Sequence, residues 1–231
     1  MKLLVLDSAS SLEIVVAGNG TTAVELCEPV TTSHSTTLLR SIDSCLGSMG
    51  LAPRDLDGIA VGVGPGSFTG IRIAVSTARM LAQVLGKPLA GIATPLIFAV
   101  SLDAAPGECV LVAFDAKKGR VFGALYRRGA DPLDLEEIVP PGDHPMARLI
   151  DAAEGNSITH LLGDGVEKYR TEAENLSGGV FTARFTPRGD RICALAQYLL
   201  SAVDFRDYRK IVPLYARKSD AETAREARNG R

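Results

Sequence analysis

Two stretches of this 231-residue chain share one shape, and that repetition restricts the fold more than any other feature. Leu3-Leu4-Val5-Leu6 runs into Asp7-Ser8-Ala9-Ser10-Ser11 and then the apolar run Leu12 to Ala17. Leu111-Val112-Ala113-Phe114 runs into Asp115-Ala116-Lys117-Lys118-Gly119 and then Val121 to Tyr126. Each reads as an antiparallel strand pair with an aspartate closing its first strand. A third strand follows in both places: Thr22 to Cys27 after Gly18-Asn19-Gly20, whose residues accept positive φ at low cost, and a run around Leu133 to Val139. The period then changes. Leu38, Ile42, Cys45, Leu46 and Met49 recur at helical spacing, with Ser33 or Ser35 as cap and Gly50 as stop; Pro145 to Ala153 is the later counterpart.

Short strands at Ile59 to Val63 and Ile158 to Leu162 each lead into a glycine-rich turn, Gly64 to Gly70 and Gly163-Asp164-Gly165, and then a helix. The first of these helices spans Ile71 to Leu85 and stops at Gly86-Lys87-Pro88. A strand at Leu89 to Ala93 and a helix at Pro95 to Leu102 precede the break Asp103-Ala104-Ala105-Pro106-Gly107. The order β-β-β-α-β-α thus occurs twice. It predicts an α/β chain with one half at 1–104, a degenerate second half at 105–217 and a charged tail at 218–231.

Apolar residues at 46% and charged residues at 23% fit a packed core. The formal net charge of −2 offers none of the basic excess that tight phosphate binding requires. Cys27, Cys45, Cys109 and Cys193 are scattered without a CxxC pair, the pattern of reduced, buried thiols in a cytoplasmic protein. The apolar stretch of MKLLVLDSAS is too short for a signal sequence, and no window approaches about 18 consecutive apolar residues; secretion and membrane spanning are disfavoured. In the tail, Lys218, Arg225, Arg228 and Arg231 after Arg217 outnumber Asp220, Glu222 and Glu226, the composition of a solvated end.

A duplicated half with an aspartate at each first hairpin resembles the actin-like (ASKHA, ribonuclease H-like) superfamily of actin, heat-shock ATPases and sugar kinases. Within it, Gly64-Pro65-Gly66-Ser67-Phe68-Thr69-Gly70-Ile71-Arg72-Ile73 is similar to the signature of the TsaB (YeaZ-type) family, related to the TsaD paralogues. Leu3 to Asp7, His34-Ser35 ahead of Leu38-Leu39, Asp115 to Val121 and Pro213-Leu214-Tyr215-Ala216-Arg217 add to it. Departures are Asp7-Ser8-Ala9, where members often carry Asp-Thr-Ser or Asp-Thr-Ala, and Arg40, where they often carry proline. The resemblance implies a non-catalytic subunit for threonylcarbamoyl transfer to adenosine 37 of tRNAs reading ANN codons. Its implied partners are a TsaD-type catalyst and a TsaE-type ATPase, with either a homodimer or a monomer as the isolated form and tRNA reached only through the complex. ATP and metal then belong to the partners, and this chain alone has no cofactor.

The residues weigh the chemistry independently. The TsaD paralogue holds metal through a His-x-x-x-His pair on its first helix; here Leu38 follows His34 at that spacing, and His144 and His160 lie elsewhere. No metal site is expected, and no Ser/His/Asp or Cys/His arrangement can be argued. Gly64, Gly66, Ser67 and Thr69 stand between strand and helix, where backbone N–H groups can meet a phosphate. The same residues suit a tight turn capped by Ser67 or Thr69. Asp7 is either a phosphate or magnesium contact, as in the superfamily's kinases, or a turn residue accepting backbone hydrogen bonds. On the helix from Ile71, the apolar strip Ile73, Met80 and Val84 lies opposite the face of Ile71, Val75, Ala78, Ala82 and Leu85, with Arg72, Ser76, Arg79 and Gln83 between. A helix apolar on two sides is either internal or covered by a partner. Ile73, Met80, Val84, Arg72 and Arg79 are the candidate interface. The rival functions are an independent small ATPase or kinase, using Asp7 and Asp115, and a glycopeptidase.

Overall fold

The computed structural model describes residues 1–29, 34–156, 158–182, 184–202 and 207–217, with no account of the side chains at 34–36 and 202. The tail at 218–231, the cap Ser33 and the side chains of His34 and Ser35 therefore lie outside the described residues. The first half is β1 (Leu3–Asp7), β2 (Leu12–Gly18), β3 (Ala23–Pro29), α1 (His34–Ser48), β4 (Gly58–Gly62), α2 (Phe68–Leu85), β5 (Leu89–Ile92) and α3 (Thr94–Ser101). The second is β6 (Cys109–Asp115), β7 (Arg120–Arg128), β8 (Leu135–Pro145), α4 (Met146–Ala153), β9 (Thr159–Leu162), α5 (Asp164–Lys168), α6 (Arg170–Glu174), β10 (Gly179–Phe181) and α7 (Gly189–Ala202). The sheets run β3-β2-β1-β4-β5 and β8-β7-β6-β9-β10, one order used twice. In both, the first two strands form an antiparallel hairpin, Asp7 opposite Ile14 and Asp115 opposite Val121, and the fourth and fifth strands add in parallel.

The continuous apolar runs are explained by burial on both faces. Leu4, Leu6, Val15 and Ala17 of the first sheet pack against Leu38, Ile42 and Cys45 of α1 and Ile71, Ala74 and Ala78 of α2. The small residues Gly70, Ala74, Ala78 and Ala82 form the buried stripe of α2, which Gly86 ends at φ 65° with its N–H on the Ala82 carbonyl. Leu3, Val5, Ile14 and Val16 point the other way, into a layer of α3 and α7 shared with Val110, Val112, Phe114 and Tyr126 of the second sheet. The outer face of that sheet is covered by Met146, Leu149 and Ile150 of α4 and Val166 of α5.

Several elements differ from the expectation. α2 begins at Phe68, not Ile71, because Ser67 caps it by accepting the Gly70 N–H at 3.3 Å. β8 continues past Val139 through Pro140 and Pro141; it is an edge strand, where a missing donor costs no ladder bond, and its register with β7 shifts between Gly123 and Tyr126. The single helix expected after Gly165 is two short ones that meet at Tyr169 (φ −108°, ψ 37°). β10 and α7 lie beyond the expected elements and extend the repeat to β-β-β-α-β-α-β-α. The division at 104/105 separates the sheets, yet α7 packs on β1 to β5 and α3 on β6 and β7, so each half covers the other.

Candidate functional site

The two hairpins face each other across a cleft of about 830 Å3. Ala9, Ser10, Ser11, Ser67 and Thr69 line one wall, and Asp115, Lys117, Lys118 and Asp164 the other. The third side is a strand-free strap carrying Tyr215, Ala216 and Arg217.

The first wall is built from backbone pressed on backbone. A Cβ at Gly70 would stand 2.9 Å from the Ser8 carbonyl carbon, and one at Gly66 2.8 Å from the Ala9 carbonyl carbon. The Ser8 hydroxyl donates to the Gly70 carbonyl at 2.9 Å, and the Ser67 N–H to the Ala9 carbonyl at 2.6 Å. Gly64, at φ 95° and joined to Pro65 by a cis peptide, turns the chain into this contact. The tight-turn reading of Gly64 to Gly70 therefore has a specific cause: the glycines let the turn seat against the first hairpin. Ser67 and Thr69 remain exposed to the cleft.

Asp7 is sealed beneath that contact. Its Oδ1 accepts the Ala9 N–H at 3.0 Å, as an Asx turn does, and its Oδ2 accepts the Thr94 hydroxyl at 2.6 Å. Thr94 in turn accepts the Gly64 N–H at 3.2 Å, and a Cβ at Gly62 would run into the carboxylate. With no exposed surface, its pKa is pushed up to about 6 by burial, against the Thr94 and Ala9 hydrogen bonds. Asp115 sits differently. Its carboxylate accepts the Lys117 N–H at 2.8 Å and the Lys168 ammonium at 2.7 Å at the cleft wall. Burial opposes its ionisation, but those partners outweigh it and hold the pKa below the usual value. Lys117, Lys118 and Gly119 have φ of 61°, 53° and 75°, so two lysines adopt a backbone region that side chains rarely occupy. Gly163, at φ 109°, and Gly165 repeat the first wall's contact: a Cβ on either would crowd the Ala113 carbonyl.

The candidate interface residues divide. Met80 is 50% exposed and Val84 78% exposed, as an outer strip requires, whereas Ile73 is half-buried against the core of its own half. Arg72 stacks 3.8 Å over Phe68 and donates to the Tyr215 hydroxyl at 3.0 Å. Arg79 donates to the carbonyls of Arg209 and Ile211. Both arginines thus hold the strap. The sequence does not mark Thr94, Lys117 or Tyr215 as site residues: only the Pro213 to Arg217 motif points to the strap, and nothing local marks Thr94 as the partner of Asp7.

Chemically, the described lining of the cleft offers hydroxyls, lysines and aromatic rings, and the thiols lie away from it. Burial, with Glu28 beside it, pushes Cys27 up to about 11; burial does the same for Cys45. Burial and then Glu25 and Asp190 push Cys193 up to about 12. Among the described residues no three His, Cys, Asp or Glu come together to hold a metal ion, and no helix is long and apolar enough to cross a membrane.

The family described as TsaD: tRNA N6-adenosine threonylcarbamoyltransferase matches residues 28–172. The Bacillus subtilis (strain 168) protein named tRNA threonylcarbamoyladenosine biosynthesis protein TsaB is 28% identical over 230 residues, 96% of each chain. Its Escherichia coli (strain K12) namesake is 33% identical over 129 residues, 55% of this chain and 56% of that one. A crystal structure described as an uncharacterized protein with similarity to peptidase YeaZ from Pseudomonas aeruginosa superposes with a TM-score of 0.78 at 24% identity, covering 94% of this chain and 99% of that one, and so shares the fold.

Proposed function

Since the chain belongs to the TsaD family of tRNA N6-adenosine threonylcarbamoyltransferases, as a TsaB/YeaZ-type member with the duplicated actin-like fold, we propose that it serves threonylcarbamoyladenosine biosynthesis as a non-catalytic subunit. In this reading it docks a TsaD-type catalyst through the exposed strip of Met80 and Val84 on α2, and a TsaE-type ATPase joins the pair. Isolated, the same strip pairs two copies of this chain. tRNA is met only by the complex, and ATP and metal sit on the partners.

One observation carries the non-catalytic part: Asp7, the carboxylate at the first hairpin, is fully buried and bonded to Thr94. It has no face left for a phosphate or a cation. The raised thiols argue against a peptidase nucleophile in the same way.

The test is reconstitution from purified components: this chain, a TsaD-type catalyst, a TsaE-type ATPase, a threonylcarbamoyl-adenylate synthase and tRNA. Nucleoside analysis should show threonylcarbamoyladenosine that disappears when this chain is omitted. The chain alone should turn over neither ATP nor glycoproteins. ATP hydrolysis that survives removal of every partner and vanishes in Asp7→Ala would establish the kinase-like alternative instead.

A further inference from the structure

The segment from Tyr208 to Arg217 follows the length of α2 and then leaves it. The Tyr208 hydroxyl donates to the carbonyls of Ala82 and Lys87 at 3.1 Å each. Arg79 holds the carbonyls of Arg209 and Ile211, and Ile211 is buried in the core beneath α1 and α2. The Leu214 N–H donates to the Val63 carbonyl at 2.7 Å, and the Tyr215 ring lies 4.8 Å from that of Phe68. All of these tethers reach the first half. Arg217 then crosses to the second: its Nε donates to Asp143 Oδ2 at 3.0 Å and its guanidinium to the Ala116 carbonyl at 3.1 Å.

We propose that residues 208–217 are a clasp that sets the width of the cleft between the two halves, with the Arg217–Asp143 pair as its releasable catch. The inference goes beyond the role in tRNA modification and does not depend on it.

Two features make the catch releasable. Asp143 keeps a second arginine when Arg217 leaves, because Arg120 Nε sits 2.7 Å from Oδ1 and the same guanidinium donates to the Asp143 carbonyl at 2.7 Å. No buried charge is stranded, and Arg217, with 32% of its side chain exposed, exchanges the carboxylate for water. The far end of the interface is built the other way. Arg128, only 3% exposed, donates to the carbonyls of Ala99, Leu102 and Pro132, and Arg191 donates to Leu102 and pairs with Asp103. Breaking those bonds leaves buried groups unpaired, so that end is the pivot and the mouth is the end that opens.

The experiment measures distance across the cleft. Spin labels are placed at Thr69→Cys and Glu167→Cys in a Cys27→Ser background of the full chain, and pulsed electron resonance gives the distance distribution. Arg217→Ala should shift it to longer distance and broaden it; Arg217→Lys, which keeps charge but loses the planar fork, should fall between. Arg120→Ala should leave it unchanged. In the parent, raising ionic strength from about 0.05 M to about 1 M, where the screening length falls to about 3 Å, should reproduce the Arg217→Ala shift. A distribution that superimposes on the parent's in Arg217→Ala overturns the clasp. Should that variant fail to fold, a parent distribution indifferent to salt overturns it as well.

Discussion

Gly70 lies directly against the carbonyl of Ser8, 62 positions away in the chain, and its own carbonyl accepts the Ser8 hydroxyl at 2.9 Å. The contact joins the glycine-rich turn to the first hairpin backbone to backbone, with the Ser8 hydroxyl as the one side-chain bond described between this pair.

Gly70→Ala should therefore be severe. The obstructing atoms are backbone and cannot swing aside, so the strain should exceed the roughly 1–3 kcal/mol of ordinary overpacking. Gly47→Ala, inside α1 with open space around the new methyl, should instead gain up to about 1 kcal/mol from helix propensity. Urea unfolding of the two variants beside the parent checks both signs; equal stabilities would mean the turn yields easily.

Asp7 gives a pH signature. Its folded pKa of about 6 stands above the ordinary 3.8, so the folded state holds the proton more tightly than the unfolded one. The stabilisation is complete below about pH 4 and is lost as pH rises through about 6, a swing on the order of 3 kcal/mol at about 1.4 kcal/mol per unit. Asp7→Asn removes the charge, and the Thr94 hydroxyl can turn to accept from the new amide. The variant should gain roughly 1–3 kcal/mol over the parent at pH 7.5 and little at pH 4. A parent at least as stable as Asp7→Asn at pH 7.5 would contradict the buried-charge account.

Met80→Glu tests the exposed strip. With Met80 half-exposed on the free protein, the melting temperature should barely move. In the complex the carboxylate would be buried unpaired, at a cost of roughly 3–5 kcal/mol by analogy with a broken buried ion pair, or about two to four orders of magnitude in partner affinity. Gln83→Glu, on the polar side of the same helix, is the control in a binding titration. Unchanged affinity in both places the partner elsewhere.

Arg128→Met keeps much of the apolar stem and removes three donated bonds. The carbonyls at the end of α3 then keep one donor each, the Leu102 N–H on Ala99 and the Arg191 guanidinium on Leu102. A loss of roughly 3–5 kcal/mol is expected in denaturant unfolding, since bonds from a charged donor are worth about 1.5–3 kcal/mol each and do not add fully.

The sheets were legible in the sequence because their strands are apolar on both faces, and the paired hairpins ending in Asp7 and Asp115 showed the duplication. α7 was legible in principle: Ile192, Leu195, Ala196, Leu199 and Leu200 keep helical spacing. It is the counterpart of α3 in the first half, but the thin repeat after Gly165 gives it no strand signal like that of Leu89 to Ala93 to follow. The fit of Gly66 and Gly70 against Ser8 and Ala9 was not legible, since it depends on where two distant segments meet rather than on either alone. The same holds for Thr94 beneath Asp7, and for Arg72 and Arg79, whose strap partners are 130 or more residues away. On the helix surface they read as free charges.

The placement of α7 also sets an order of events during synthesis. Gly18 touches Cys193, Gly58 touches Leu200, and Gly189 meets Val16 and Glu25. The inward face of the first sheet, made early, thus waits for a helix made near the end. At about 5–20 residues per second, Leu3, Val5 and Val16 have no α7 to cover them for roughly 10–40 s after leaving the ribosome. That interval is when a growing chain of this kind most needs a holding chaperone.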